Sequence, residues 1–272
     1  MSGRLLAISD LHVGYPDNRA LVDALRPEDP DDWLIVAGDV GEKFADVGWV
    51  LATLASRFAR VIWAPGNHEL WTLPADPVAL RGVARYEALV KVCRRFGVVT
   101  PSDPFPVWPG ADGPIAVAPL FLLYDYSFLP AGAATADEAL FLARSAGVVC
   151  ADERWLHPDP YPSRSAWCHV LVEAAARRLA AVSLPVVLVS HWPLVRSPTM
   201  ALRHPEFALW CGTSLTASWH LEHQVVAAVY GHLHIPRTTW EDGVRFEEVS
   251  VGYPREWRRR GGPPAPRVIL GA

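Results

Sequence analysis

The stretch VIWAPGNHELW, residues 61–71, starts as a buried strand should and then places Asn67, His68 and Glu69 side by side where the chain would turn back to solvent. Its apolar half is continuous, not alternating, which is the mark of a strand covered on both faces, although a run this short could equally be buried helix by periodicity alone. Runs of the same kind recur at residues 4–9 (RLLAIS), 33–38 (WLIVAG), 114–120 (PIAVAPL), 185–190 (PVVLVS), 225–231 (VVAAVYG) and 244–252 (VRFEEVSVG). Between them lie segments with helical spacing at 18–25, 44–58, 76–96, 136–147 and 163–182. Strands alternating with helices predict an α/β protein.

The region 98–162 is rich in proline, with TPSDPFPVWPGADGP and HPDPYPS, and reads as irregular surface structure. Polar residues that look like members of one site stand both before and after it. It is therefore expected to be an insertion over one face of a single domain spanning residues 1–255, not a linker. Residues 256–272 belong to a tail that is basic and then Pro/Gly-rich, and its last dozen residues are expected to be loosely ordered.

With 51% hydrophobic residues in 272, the chain has ample material for a core. A formal net charge of −4 argues against a protein that coats nucleic acid, because phosphate-backbone binding is supported by a strongly basic face. The opening MSGRLLAISD passes straight into a strand-length apolar run and lacks the h-region and cleavage site of a signal peptide. No run approaches the ~18–20 apolar residues that span a bilayer. The expectation is a cytoplasmic protein without a membrane partner; the sequence carries no signal for oligomeric state. Cys93, Cys150, Cys168 and Cys211 form no CxxC pair, so they read as small buried hydrophobes and not as disulfides or zinc ligands.

The ends of the apolar runs carry the chemistry. Asp10 and His12 follow the first, Asp39 the second, Asn67 and His68 the third, His191 the fifth, and His232 and His234 the sixth. Each has a plainer reading when taken singly: a helix cap beside a surface histidine, a turn asparagine, a partly buried imidazole. In an open α/β sheet, however, loops after the strands converge on one ligand site. Carboxylates and imidazoles suit Zn, Fe, Mn or Co, and neighbouring glycines let the backbone turn sharply. The set is too large for one ion and suits a pair about 3.5 to 4 Å apart, which clamps the attacking and leaving oxygens of a phosphoryl displacement. A serine-hydrolase reading would need a G-x-S-x-G elbow, which is absent.

The order D-x-H, G-D, G-N-H-E, H, G-H-x-H resembles that of the calcineurin-like metallophosphoesterase superfamily and runs from Asp10 to His234. The resemblance implies a metallophosphoesterase fold, two mixed β-sheets in a sandwich flanked by α-helices, with a dinuclear centre on one edge. It implies that Asp10, His12 and His234 hold one ion, that Asn67, His191 and His232 hold the other, and that Asp39 bridges them. His68 is implied to face substrate, as proton donor to the leaving oxygen or as a phosphate-binding cation. Glu42 matches the acidic position of the family's GDxxD element. It would either keep His68 protonated or serve as an acid at the start of the helix that follows. Glu69 is expected to support the motif without ligating. The implied mechanism is attack by a metal-activated hydroxide, with two divalent or mixed-valence ions, Fe and Mn foremost and Zn or Co as alternatives.

Lys43 stands where protein Ser/Thr phosphatases carry arginine, and no HGG element occurs, which disfavours a phosphoprotein substrate. The segments DDWLIVAGDV, VIWAPGNHELWT, FLLYDYSFLP, PEFALWCGT and VYGHLHIPRTTWEDGVRFEEVSVGYPREWRRR are similar to those of the actinobacterial phosphopantetheinyl hydrolases. Those enzymes remove 4′-phosphopantetheine from the serine of a holo acyl carrier protein. An acidic carrier protein is thus the implied partner. Arg255, Arg258, Arg259 and Arg260 are candidates for docking it or are simply a solvated tail. Tyr124, Tyr126, Phe128 and Trp155 either line a pocket for the pantetheine arm or pack the core. A small-molecule or cyclic-nucleotide phosphodiesterase or phosphomonoesterase is the alternative within the superfamily. A non-catalytic metal-binding or scaffold protein that has kept the fold is the alternative of a different class.

Overall fold

The computed structural model describes residues 3–271. One sheet runs in the order β10-β1-β2-β3, with β1 (Leu5–Ile8), β2 (Trp33–Val36) and β3 (Arg60–Trp63) parallel and β10 (Arg267–Leu270) antiparallel to β1. The other runs β4-β5-β6-β7-β9-β8. Here β5 (Gly113–Pro119), β6 (Val186–Val189), β7 (Val225–Tyr230) and β9 (Val244–Glu248) are parallel, with β4 (Val107–Gly110) and β8 (Arg237–Glu241) antiparallel at the two edges.

Side-chain alternation explains why the strands read as unbroken apolar runs. In the first sheet Leu5, Ala7, Ile35 and Ile62 face the second sheet and meet Val117, Val187, Val189 and Val229. The alternate residues Leu6, Ile8, Leu34, Val36, Val61 and Trp63 face outward onto helices. Those helices are α1 (Pro16–Ala24), α2 (Phe44–Ala55) and α4 (Gly82–Arg95), while the single turn α3 (Asn67–Leu70) opens directly after β3. The outer face of the second sheet packs on α7 (Arg164–Leu179), through Trp167, Cys168 and Leu179. The result is four layers, helix, sheet, sheet, helix. Each fully buried Leu- or Val-sized side chain in them contributes about 1.5–3 kcal/mol. The remaining helices are α5 (Ala136–Ser145), α6 (Asp152–Trp155), α8 (Trp219–Glu222) and α9 (Pro254–Arg259). All four cysteines are free and buried, and no helix among the described residues is long and apolar enough to cross a membrane.

Three sequence expectations need correction. The region 98–162 contains β4, α5, α6 and, inside the sheet, β5, so it is only partly irregular. Within the last dozen residues, 267–270 are not loose: β10 pairs with β1, and Ile269 is buried between the sheets at 2% exposure. The helix expected from residue 76 starts at Gly82; before it the buried Asp76 carboxylate accepts from Val78 N and Arg85 Nη2, which bends the chain at 76–78.

The two sheets meet at one edge. Beyond the ends of β1 and β9, Ser9 pairs with Ser250, with Ser9 N donating to Val249 O at 3.1 Å and Val251 N donating to Ser9 O at 2.9 Å. All of β1, β2, β3, β6 and β7 open their following loops onto this edge.

Candidate metal centre

Five residues in these loops hold left-handed backbone: Asp10 (φ 53), His12 (φ 40), Asp39 (φ 53), His232 (φ 69) and His234 (φ 56). A non-glycine residue there costs of order 1 kcal/mol or more, and such strain concentrates at functional sites. Hydrogen bonds offset it: Asp10 N donates to Gly38 O, His12 N to Asp39 O, and Gly252 N to Asp10 O. The neighbouring glycines serve mainly as space. A Cβ on Gly66 would collide with the Asp39 carboxylate, and one on Gly231 with that of Asp10.

The structure brings together all the residues the motifs named. In one trio, His234 Nε2 lies 3.0 Å from Asp10 Oδ1 and 3.2 Å from His12 Nε2. In the other group, His191 Nε2 lies 3.1 Å from Asn67 Oδ1, 3.2 Å from His232 Nδ1 and 3.4 Å from Asp39 Oδ2. The same Asp39 Oδ2 is 3.9 Å from His12 Nε2, so it stands between the two groups.

The chemistry of these contacts fits cations. His191 Nδ1 donates to Ala37 O at 2.9 Å, which turns the lone pair of Nε2 toward the Asn67 and Asp39 oxygens. His234 Nδ1 donates to Glu256 Oε2 at 2.7 Å, which aims its Nε2 lone pair at Asp10 and His12. Acceptors therefore face acceptors, and the buried His232 Nε2 has no protein partner. Burial disfavours charged rings, yet Asp39 and Asp10 push His191 and His234 respectively up to about 10.

His68 stands beside this array without joining either trio. Its Nδ1 is 3.0 Å from Glu42 Oε1, its Nε2 is 3.7 Å from Asp39 Oδ2, and its ring stacks on Trp71 with centroids 3.7 Å apart. Although burial lowers an imidazole pKa, Asp39 and Glu42 together raise that of His68. Glu42 lies outside α2, whose N-cap is Lys43, and its carboxylate points at His68 and His12 instead of the helix. Glu69 braces the loops: its carboxylate accepts from Asp39 N, Val40 N and Gly66 N.

Sequence reasoning missed two acidic residues here. Asp152, on α6 and fully buried, accepts from Asn67 Nδ2 at 2.9 Å and Trp71 Nε1 at 2.6 Å. Glu256, on α9, orients His234. Asp152 follows the short run Val148–Ala151, which forms no strand, and Glu256 follows no apolar run, so the signal that found the others, a polar residue at the end of a strand, marks neither. Among the aromatics, Tyr124 and Phe128 are buried in the core, and Tyr126 donates its hydroxyl to Glu153. In the basic tail, Arg258 pairs with Asp17 at 2.6 Å, and Arg260 donates to the carbonyls of His234 and Val251.

The model of the calcineurin-like phosphoesterases matches residues 3–236. The chain is 58% identical over 258 residues to the [acyl-carrier-protein] phosphodiesterase PptH of Mycobacterium tuberculosis, covering 94% of this chain and 80% of that protein. The crystal structure of the phosphopantetheinyl hydrolase PptH from M. tuberculosis superposes with a TM-score of 0.92 at 57% identity, covering 94% of this chain and 92% of that one.

Proposed function

The chain belongs to the calcineurin-like phosphoesterase family, and from that premise we propose that it removes 4′-phosphopantetheine from the serine of a holo acyl carrier protein. Asp10, His12 and His234 would hold one metal ion, Asn67, His191 and His232 the other, and Asp39 both. When bound, such a pair polarises phosphoryl oxygens and makes a water acidic enough to serve as nucleophile near neutral pH. Fe and Mn are the proposed occupants, since His, Asp and Asn donors accept either.

The chain's own residues supply orientation and the proton. Glu42 accepts a hydrogen bond from the Nδ1–H of His68, which keeps the ring protonated, and its second ring proton, on Nε2, stands on the side of Asp39. That proton goes to the serine oxygen as the phosphorus–oxygen bond breaks, while Trp71 fixes the ring plane by stacking. Tyr253, tilted 30° over His12 with centroids 4.6 Å apart, walls the opposite side of the row.

The observation carrying this reading is the convergence of both groups on one Asp39 oxygen. Purified protein incubated with holo carrier protein and Mn²⁺ or Fe²⁺ is expected to release the phosphopantetheine mass, leaving the apo form. No mass loss, with an aryl phosphodiester still hydrolysed, would remove the carrier-protein substrate and keep the chemistry. His68→Ala is expected to lower kcat by about 10²–10⁴ while retaining metal content by elemental analysis; unchanged turnover would take His68 out of its role.

A further inference from the structure

The metal-site side chains form a row. His68 and His12 rings are 4.6 Å apart, His12 and His234 rings 5.1 Å apart, with Glu42 at the first end and Glu256 at the last. A hollow opens at each end. The one beside Glu42, about 300 Å³, is lined by Arg19, Lys43 and Asp46 with a few small or apolar groups. The one beside His234 and Glu256, about 520 Å³, is lined by Val148, Val149, Leu202, Phe207, Leu233 and Ile235, with Arg203 and His204 also in its wall. Its size lies within the usual range for small-ligand sites, and an apolar lining with a few polar groups is their usual character.

This apolar hollow is built from otherwise separate parts of the chain: the end of α5, the turns around residues 197–210, and the loop after β7. Its lining residue Val149 is 75% exposed, and so is Met200, two residues before Leu202. Large apolar side chains left in water next to a catalytic row indicate a surface that a ligand covers. Phe207 joins the hollow to the centre, its ring stacked on His232 with centroids 5.9 Å apart.

We infer that this hollow holds the pantetheine arm of the substrate, an inference that rests on the carrier-protein reading above. The arm is thin, uncharged beyond its phosphate, and carries a geminal dimethyl group next to it, whereas a folded carrier domain cannot enter a space of about 520 Å³. The proton donor His68 stands at the other end of the row, so the leaving serine, and the carrier with it, lies toward the charged hollow. The arm, attached to the same phosphorus, extends past His234 into the apolar one. Specificity for a phosphopantetheinyl ester then comes from contacts remote from the reacting bond.

Val149→Asp and Val149→Trp, which charge and fill the hollow at an exposed position, test this. The readout is the ratio of kcat/KM for holo carrier protein to that for bis(4-nitrophenyl) phosphate, measured on the same preparations. The ratio is expected to fall about tenfold or more in both variants, equivalent to ~1.4 kcal/mol of lost transition-state binding. A second readout needs no turnover: since the native cysteines are buried, Val149→Cys gives one reactive thiol. Its maleimide labelling is expected to slow with S-methyl-4′-phosphopantetheine, whose blocked thiol does not consume the reagent, and not with inorganic phosphate. An unchanged ratio together with unprotected labelling overturns the subsite while leaving the carrier-protein reading standing. Wild-type protein that fails on holo carrier protein and hydrolyses the aryl ester overturns both.

Discussion

At the scale of single residues, Asp152 shows how a candidate metal site is held by groups outside it. An asparagine amide presents oxygen or nitrogen with equal ease, and only a fixed acceptor on the nitrogen side keeps Asn67 Oδ1 facing His191. The same Asp152 oxygen takes the indole N–H of Trp71, whose ring positions His68. One carboxylate thus orients a metal-site residue and the proposed proton donor. Asp152→Ala is expected to reduce metal content from two ions toward one per chain and to cost about 10–100-fold in turnover, with Asp152→Asn, which keeps an oxygen acceptor, restoring most of both. Equal loss of both ions alongside a broad fall in thermal stability would mean Asp152 is only structural. Residues such as Asp10, Asp39 and His191 were legible in sequence because each follows an apolar run directly. Asp152 was not, since it meets Asn67 across 85 positions and sits in no motif. Glu256 was hidden in a run of arginines for the same reason.

The scale of elements explains which strands sequence reasoning found. The apolar runs became β1, β2, β3, β5, β6, β7 and β9, and of these all but β3 have a strand on each side. The strands that escaped, β4, β8 and β10, all lie at sheet edges and pair antiparallel. An edge strand shows solvent on one side, so it carries prolines, charges and threonines that mimic loop: Pro109 in β4, and Arg237, Thr238 and Thr239 in β8. In β10 the signal was shorter still, a Val-Ile-Leu triplet after a Pro/Gly-rich stretch. Yet Val268 packs toward the helices and Ile269 between the sheets, so this strand closes the open edge of β1 on both faces. Ile269→Ala is expected to destabilise the protein by about 2–5 kcal/mol, read as a lower urea midpoint with an unchanged slope, while metal content is retained. A midpoint within error of wild type would return the tail to the loose segment expected from its composition.

For the whole molecule, the constraint is charge. To act on an acidic carrier protein as proposed, a chain of net charge −4 must overcome general repulsion through a local basic surface. The arginine run read from sequence supplies that surface only in part. Arg258 is neutralised by Asp17, and Arg260 is committed to backbone carbonyls. Among the described residues, Arg203, Arg255 and Arg259 make no ion pair; Arg255 instead lies 5.4 Å from the Tyr253 ring and Arg203 lines the apolar hollow. Helix α9 is tied through Arg258 to Asp17 of α1, whose Pro16 and Arg19 line the charged hollow, so the free arginines of α9 flank the side on which the carrier's serine is expected to enter. Replacing both by glutamate is expected to lower kcat/KM for holo carrier protein about tenfold at low salt, and the deficit should shrink toward 1 M salt, where the screening length falls to about 3 Å. Hydrolysis of a small aryl phosphodiester gives the reference, because it meets the same row without a charged domain attached. A deficit that persists undiminished at high salt would mean the arginines act through packing of α9 against Glu256 and His234. No deficit at all would confine the carrier's charged contacts to Arg19 and Lys43 in the charged hollow itself and leave α9 outside the docking surface.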